Sequence, residues 1–138
     1  AEIPFFKLRA SRIIKTLLIA EDNDLNYEIL EEQLEMYGIH CVRAVNGKEC
    51  VQLFEGAPSG TYDAILMDMQ MPVMNGLDAA RAIRALPFPE AKQIPVIALT
   101  ANAYLEDAQK CKEAGMNDHM SKPVQIEQII RTVEKWMK

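Results

Sequence analysis

The chain has few cysteines, and their spacing suggests neither a disulfide framework nor a zinc site. It contains 3 cysteines among 138 residues, an odd number, and none of them forms a C-x-x-C pair. We therefore expect a reducing, cytoplasmic setting. The sequence also lacks a signal peptide and any apolar stretch long enough to cross a bilayer, so no membrane contact is expected of this domain.

The chain has no excess of positive charge either. Lys and Arg number 15 against 20 Asp and Glu, which gives a net charge of −5 at pH 7. Proteins that bind phosphate backbones usually present a basic surface, so nucleic acid is not expected as a direct partner. The sequence contains no repeat or low-complexity segment, and its length favours one domain with an ordinary core.

Continuously apolar stretches predict the centre of a sheet, because such runs are typical of strands buried on both faces. They lie at 16–20, 64–68 and 95–99, and less apolar stretches at 41–45 and 118–121 are predicted to be edge strands. Predicted helices follow the five strands at about 24–37, 47–54, 77–86, 104–114 and from 126 to the end of the chain. This alternation predicts an α/β fold, a doubly wound five-stranded parallel sheet compatible with the order 2-1-3-4-5.

The first predicted helix is amphipathic. Its apolar residues recur at helical spacing: Leu25, Ile29, Leu30, Leu34 and Tyr37. Its acidic residues form a face that we interpret as solvated, with partner docking as the alternative: Glu28, Glu31, Glu32 and Glu35.

Polar side chains follow four strands at the edge where parallel strands end, which is where open α/β sheets bind ligands. They are Glu21, Asp22, Asp68, Thr100 and Lys122. Two carboxylates about 4 Å apart repel by roughly 4 kcal/mol at an effective dielectric constant near 20, so three of them need a cation or raised pKa values. Hard oxygen ligands suit Mg²⁺, and an aspartate can accept a phosphoryl group as an acyl phosphate. Lys122 and the Thr100 hydroxyl would bind the remaining phosphoryl oxygens.

Four motifs in this order make the chain resemble response-regulator receiver domains of two-component signalling, over about residues 15–138. They are Glu21-Asp22, the run from Met67-Asp68 through Met71-Pro72 to Asn75-Gly76, Leu99-Thr100-Ala101, and Ser121-Lys122-Pro123. Three short segments are similar in sequence to the receivers of hybrid sensor histidine kinases: Glu21-Asp22-Asn23, Thr100-Ala101-Asn102-Ala103 and Gly115-Met116-Asn117-Asp118-His119. The family fold is flavodoxin-like, in agreement with the predicted sheet.

The resemblance implies that Asp68 receives a phosphoryl group from a phosphohistidine, on a histidine kinase or a histidine phosphotransfer domain. It implies that Mg²⁺ is bound directly by Asp22, Asp68 and the backbone carbonyl of Gln70, while Glu21 acts mostly through water. It also implies a cis peptide bond before Pro123. A receiver of this kind catalyses its own aspartyl phosphorylation and dephosphorylation.

Two further pairs of residues have roles implied by the resemblance. Thr100 and His119 occupy the switch positions, although many receivers carry Tyr or Phe where this chain has the more polar His119. Gln70 and Asn102 occupy positions that influence the access of attacking water, and hence the lifetime of the phosphoryl group.

Other functions remain as alternatives. A phosphorylation-independent binding module would normally have lost Asp68, Lys122 or the acidic pair, and none is missing. A haloacid-dehalogenase-type phosphatase requires a second Asp at the position where this chain has Gln70.

We expect 1–15 to be a linker or lead-in from an upstream domain and 16–138 to be the receiver. The first residue is not Met, which favours a fragment of a hybrid kinase that could be membrane-anchored; a stand-alone regulator is the alternative.

Overall fold

The computed structural model describes residues 13–101 and 105–137, which contain one five-stranded sheet. The strands are β1 (Thr16–Ala20), β2 (His40–Ala44), β3 (Ala64–Asp68), β4 (Val96–Thr100) and β5 (Asp118–Ser121). Their order is β2-β1-β3-β4-β5, and every neighbouring pair is parallel. The predicted sheet and its order are confirmed, with the two less apolar strands at the edges.

Six helices occur in the described ranges, one more than predicted. They are α1 (Asp24–Met36), α2 (Gly47–Gly56), α3 (Gly76–Arg84), α4 (Glu90–Gln93), α5 (Leu105–Glu113) and α6 (Ile126–Trp136). The additional helix, α4, is a single turn of 4 residues that is too short to show a periodic pattern. The predicted start of α5 at residue 104, most of the lead-in (1–12) and Asn102 lie outside the described residues.

The core consists of two apolar layers, one on each face of the sheet. Alternate strand residues point to opposite faces, so Leu17 and Ile19 pack towards α1 and α6, whereas Leu18 packs towards α2, α3 and α5. The strands β3 and β4 are buried along their whole length. Continuous apolar sequence in these strands therefore reflects cover on both faces, as expected for a central parallel strand.

The packed face of α1 differs from the apolar pattern in its sequence. Tyr27 and Leu34 are buried, whereas Leu25 is 64% exposed and Ile29 is 48% exposed. Tyr27 takes an inward position because its ring packs beside the guanidinium of Arg43 on β2. The buried face of the helix therefore includes Tyr27, and the aliphatic side chains of Leu25 and Ile29 face solvent.

Three helices begin with the same cap at the carboxyl ends of the strands. The side chains of Asn23, Asn46 and Asn75 each accept a hydrogen bond from the backbone N–H three residues later, at 2.8 to 2.9 Å. Asparagine is among the best N-cap residues, because its side chain satisfies a free N–H of the first turn. These caps fix where α1, α2 and α3 start relative to the loops that carry the polar side chains.

Candidate functional site

The carboxyl ends of β1, β3 and β4 border an open cleft with a volume of about 700 Å³. Asp22, Asp68, Thr100 and Lys122 are among the residues that line it. Carboxylate oxygens of Glu21, Asp22 and Asp68 lie within 4.8 Å of one another. The structure thus brings together the five side chains that the strand ends were expected to supply.

Lys122 is paired with two of these carboxylates. Its Nζ lies 3.0 Å from Asp68 Oδ2 and 3.4 Å from Glu21 Oε1. The lysine follows β5, and its backbone N–H donates to the carbonyl of Thr100 at 2.8 Å, so the ladder between β4 and β5 continues past the strand end. The Lys122–Pro123 peptide bond is cis, as predicted.

Burial and neighbouring charges shift the pKa values of Glu21 and Lys122. Glu21 is 1% exposed, and burial, together with the negative charge of Asp68, raises its pKa despite the N–H of Asn23 and the ammonium of Lys122. Burial by itself would lower the pKa of Lys122, but its contacts with Asp68 and Glu21 outweigh burial and raise it. The ammonium therefore stays charged at neutral pH, while the charge on Glu21 is costly.

Asp68 is held by the backbone around it. The N–H of Gln70 donates to Asp68 Oδ1 at 3.2 Å, and the N–H of Met69 donates to the carbonyl of Leu99 at 3.0 Å. Gly76, the first residue of α3, packs so closely that a Cβ there would collide with the carbonyl oxygen of Asp68. Only glycine lets α3 begin at this distance from the end of β3, and Asp68 itself is 5% exposed.

The remaining predicted residues lie at different distances from this cluster. Thr100 is buried at the end of β4 and lines the cleft, and Gln70 is an exposed residue of the cleft wall. His119 is half-buried on β5, where it pairs with Ala98, two positions before Thr100 on the neighbouring strand. Their predicted roles remain predictions.

Arg43 contacts the acidic loop and was missed as a site residue. Its Nε donates to the carbonyl of Glu21 at 3.1 Å, and its Nη1 lies 2.8 Å from Asp24 Oδ1. In the sequence it only interrupts the apolar residues of a predicted edge strand. The one signal that could have identified it is the edge position itself, which places β2 beside the end of β1 in a parallel sheet.

The donor set fits a hard divalent cation. Three carboxylates meet within 4.8 Å, and in the described residues one ammonium, that of Lys122, is paired with them. Oxygen ligands with an excess of negative charge, beside a cleft that admits water and a phosphate, are what Mg²⁺ prefers. Soft ligands are not part of the cluster.

Comparison with known proteins identifies the family. The family model described as the response regulator receiver domain matches residues 17–134. The chain belongs to the response-regulator receiver family. The predicted family is therefore confirmed, and so is its fold.

The receiver is similar to receivers of hybrid kinases and phosphorelay proteins. It is 34% identical over 131 residues to the hybrid signal transduction protein dokA of Dictyostelium discoideum, which covers 95% of this chain and 7% of dokA. It is 36% identical, with a TM-score of 0.79, to the receiver domain of the sensor histidine kinase PA1611 from Pseudomonas aeruginosa, covering 90% of this chain and 98% of that one. That structure has a magnesium ion coordinated in its active site cleft.

A third similar structure contains a partner. The receiver of the Saccharomyces cerevisiae response regulator Ssk1, solved with the histidine phosphotransfer protein Ypd1, is 32% identical to this receiver, with a TM-score of 0.77 and coverage of 90% of this chain and 89% of that one. None of the helices in the described part of the receiver is long and apolar enough to cross a membrane.

Proposed function

We propose that this receiver accepts a phosphoryl group on Asp68 from a phosphohistidine and acts as a switch in a two-component phosphorelay. The observation that carries the proposal is the contact between Asp68 Oδ2 and Lys122 Nζ, at 3.0 Å, at the mouth of the cleft. A buried carboxylate that is held by a lysine and bordered by two further carboxylates is poorly explained by stability alone, because it concentrates negative charge.

In the proposed reaction, a carboxylate oxygen of Asp68 attacks the phosphorus of the phosphohistidine. The new O–P bond forms as the P–N bond breaks, and the electron pair remains on the imidazole nitrogen, which takes up a proton. The ammonium of Lys122 and the hydroxyl of Thr100 stabilise negative charge on the transferred oxygens, since fixed donors stabilise charge without reorganisation. Attack by water on the phosphorus of the acyl phosphate later breaks the O–P bond, releases inorganic phosphate and regenerates the carboxylate of Asp68.

Asp22, Asp68 and the carbonyl of Gln70 are proposed to hold Mg²⁺ directly, and Glu21 to act mostly through water. When bound, Mg²⁺ supplies positive charge that offsets the carboxylates and the phosphoryl oxygens. The cluster within 4.8 Å supports this assignment, as does the magnesium in the similar receiver of PA1611.

The proposed partners are the phosphohistidine domain of a kinase and a histidine phosphotransfer domain. The complex of the similar Ssk1 receiver with Ypd1 supports this kind of partner. Thr100 and His119 are proposed to transmit the switch, and Gln70 and Asn102 to set its lifetime. We further propose that the receiver works in the cytoplasm within a hybrid sensor histidine kinase, which its similarity to dokA supports.

The proposal is tested by intact-mass analysis after incubation with Mg²⁺ and phosphoramidate, a small donor with a P–N bond. We expect the mass of one added phosphoryl group on the wild-type chain and none on Asp68→Asn, because an amide cannot form the acyl phosphate. The matched control is Asp78→Asn, an exposed aspartate in the first turn of α3, which should still gain the group. No adduct on the wild type, or an equal adduct on Asp68→Asn, would refute the proposal.

A further inference from the structure

Arg43 contacts both ends of the loop that joins β1 to α1. At the start of the loop its Nε donates to the carbonyl of Glu21 at 3.1 Å. At the other end its Nη1 lies 2.8 Å from Asp24 Oδ1, and its guanidinium carbon lies 5.2 Å from the ring centroid of Tyr27. One side chain from β2 therefore connects the loop to the first turn of the helix that follows.

These contacts fix the backbone that carries Asp22. The N–H of Glu21 donates to the carbonyl of Ala44 at 3.0 Å, and its carbonyl accepts from Arg43. Both backbone polar groups of Glu21 are therefore hydrogen-bonded to residues of β2. The carbonyl of Glu21 and the N–H of Asp22 belong to one planar peptide unit. Fixing that carbonyl therefore sets the direction in which the chain enters Asp22.

The guanidinium makes these contacts at a cost. Arg43 Nη2 is buried without a hydrogen-bond partner in the described structure, which is unfavourable by itself. The side chain is 22% exposed, and it gains the ion pair with Asp24 and the face of the Tyr27 ring in return. A surface arginine without a specific role would rotate its guanidinium into water.

We infer that Arg43 is a positioning residue for the metal site: it holds the acidic loop so that Glu21 and Asp22 face Asp68. The inference rests on the proposed function, because the site that Arg43 would position is the proposed Mg²⁺ site of Asp22 and Asp68. Arg43 contacts the carbonyl of Glu21 and the carboxylate of Asp24 rather than a carboxylate of the cluster. Its effect passes through the carbonyl of Glu21, since repulsion among the three carboxylates would otherwise favour a more open loop.

Calorimetric titration with Mg²⁺ alone tests this inference. We expect Arg43→Met to bind Mg²⁺ about 10-fold or more weakly than the wild type, as when the partners of metal ligands are removed. The matched control is Arg81→Met, which removes an exposed arginine that pairs with Asp78 on α3 and should leave the affinity unchanged. Phosphorylation of Arg43→Met should be slow at limiting Mg²⁺ and recover at saturating Mg²⁺.

The outcomes separate the inference from the proposed function. Wild-type affinity for Mg²⁺ in a folded Arg43→Met would overturn the inference and leave the proposed function standing. No binding of Mg²⁺ by the wild type would overturn both. If Arg43→Met does not fold, Arg43→Lys decides, because one ammonium cannot reach both Glu21 and Asp24 as the guanidinium does. The lysine variant should bind Mg²⁺ several-fold more weakly, and an unchanged affinity would contradict the inference.

Discussion

The sheet has one side where its parallel strands begin, the amino edge, and one where they end, the carboxyl edge. Charged side chains are balanced at the amino edge but not at the carboxyl edge. At the amino edge, Asp63 Oδ2 accepts the N–H groups of Lys15 and Thr16 at 2.7 and 2.9 Å. There Arg84 donates to the carbonyls of Gly115 and Ala91 and to the side chain of Asn117, at 2.9 to 3.0 Å. Each charge is matched by fixed backbone or amide groups.

At the carboxyl edge the charges are not matched. Glu21, Asp22 and Asp68 meet within 4.8 Å, and Lys122 is the ammonium paired with two of them. The amino edge is built for stability, because among the described residues there no buried side-chain nitrogen or oxygen lacks a hydrogen-bond partner. The carboxyl edge keeps an excess of negative charge, which favours the binding of a cation at the expense of stability.

The largest effect on stability is expected at the amino edge. Arg84→Met should lower the free energy of unfolding by about 3 kcal/mol, because it leaves two carbonyls and the Asn117 side chain without a charged donor. Phosphorylation of the folded fraction should not change. Denaturant unfolding measures the loss, and Arg81→Met on the same helix should cost less than about 0.5 kcal/mol. Equal losses in the two variants would contradict the structural role of Arg84.

A smaller effect of opposite sign is expected at the carboxyl edge. Without Mg²⁺ at pH 7 to 8, Glu21→Gln should raise the free energy of unfolding by about 1 to 2 kcal/mol, part of the roughly 4 kcal/mol by which close carboxylates repel. With Mg²⁺ the variant should be stabilised less than the wild type, because a carboxylate near the metal is gone. The exposed residue Glu32 offers the control, Glu32→Gln, which should change neither value.

The same variant has a defined dependence on pH. Because the pKa of Glu21 is raised in the folded state, its contribution to stability is complete below the unfolded value of 4.5 and is lost as the pH rises through the folded value. The gain from Glu21→Gln should therefore grow from about pH 4.5 upwards. Denaturant unfolding at several pH values without Mg²⁺ measures it, and a gain that shrinks with rising pH would be inconsistent with a buried, costly carboxylate.

The smallest effect is expected in the loop after β3. Val73 has φ of 69° and is 77% exposed, and the N–H of Met74 donates to the carbonyl of Pro72 at 2.7 Å across it. This conformation is unfavourable for a β-branched residue, so Val73→Asn should stabilise the fold by about 1 kcal/mol. Thermal unfolding checks it, with the exposed Val45→Asn as a control that should bring no gain.

The central part of the fold could be predicted because its signals are local. An apolar run that stops at a charged residue marks both a buried strand and its carboxyl end, and this placed Glu21 and Asp68 correctly at the same ends of the strands. The one-turn helix Glu90–Gln93 has no such signal, since four residues cannot show a helical period. The inward turn of Tyr27, and the contacts of Arg43 and Arg84, depend on which elements meet in space, so the sequence order does not reveal them.

The most direct test of the account is to locate the phosphoryl group itself. Borohydride reduces an aspartyl phosphate to homoserine, so peptide mass spectrometry after phosphorylation with Mg²⁺ and a phosphohistidine protein identifies the acceptor. We expect homoserine at position 68 and nowhere else, and none when Mg²⁺ is removed by chelation. Homoserine at another aspartate, or a phosphoryl group that resists reduction and maps to His40 or His119, would contradict it.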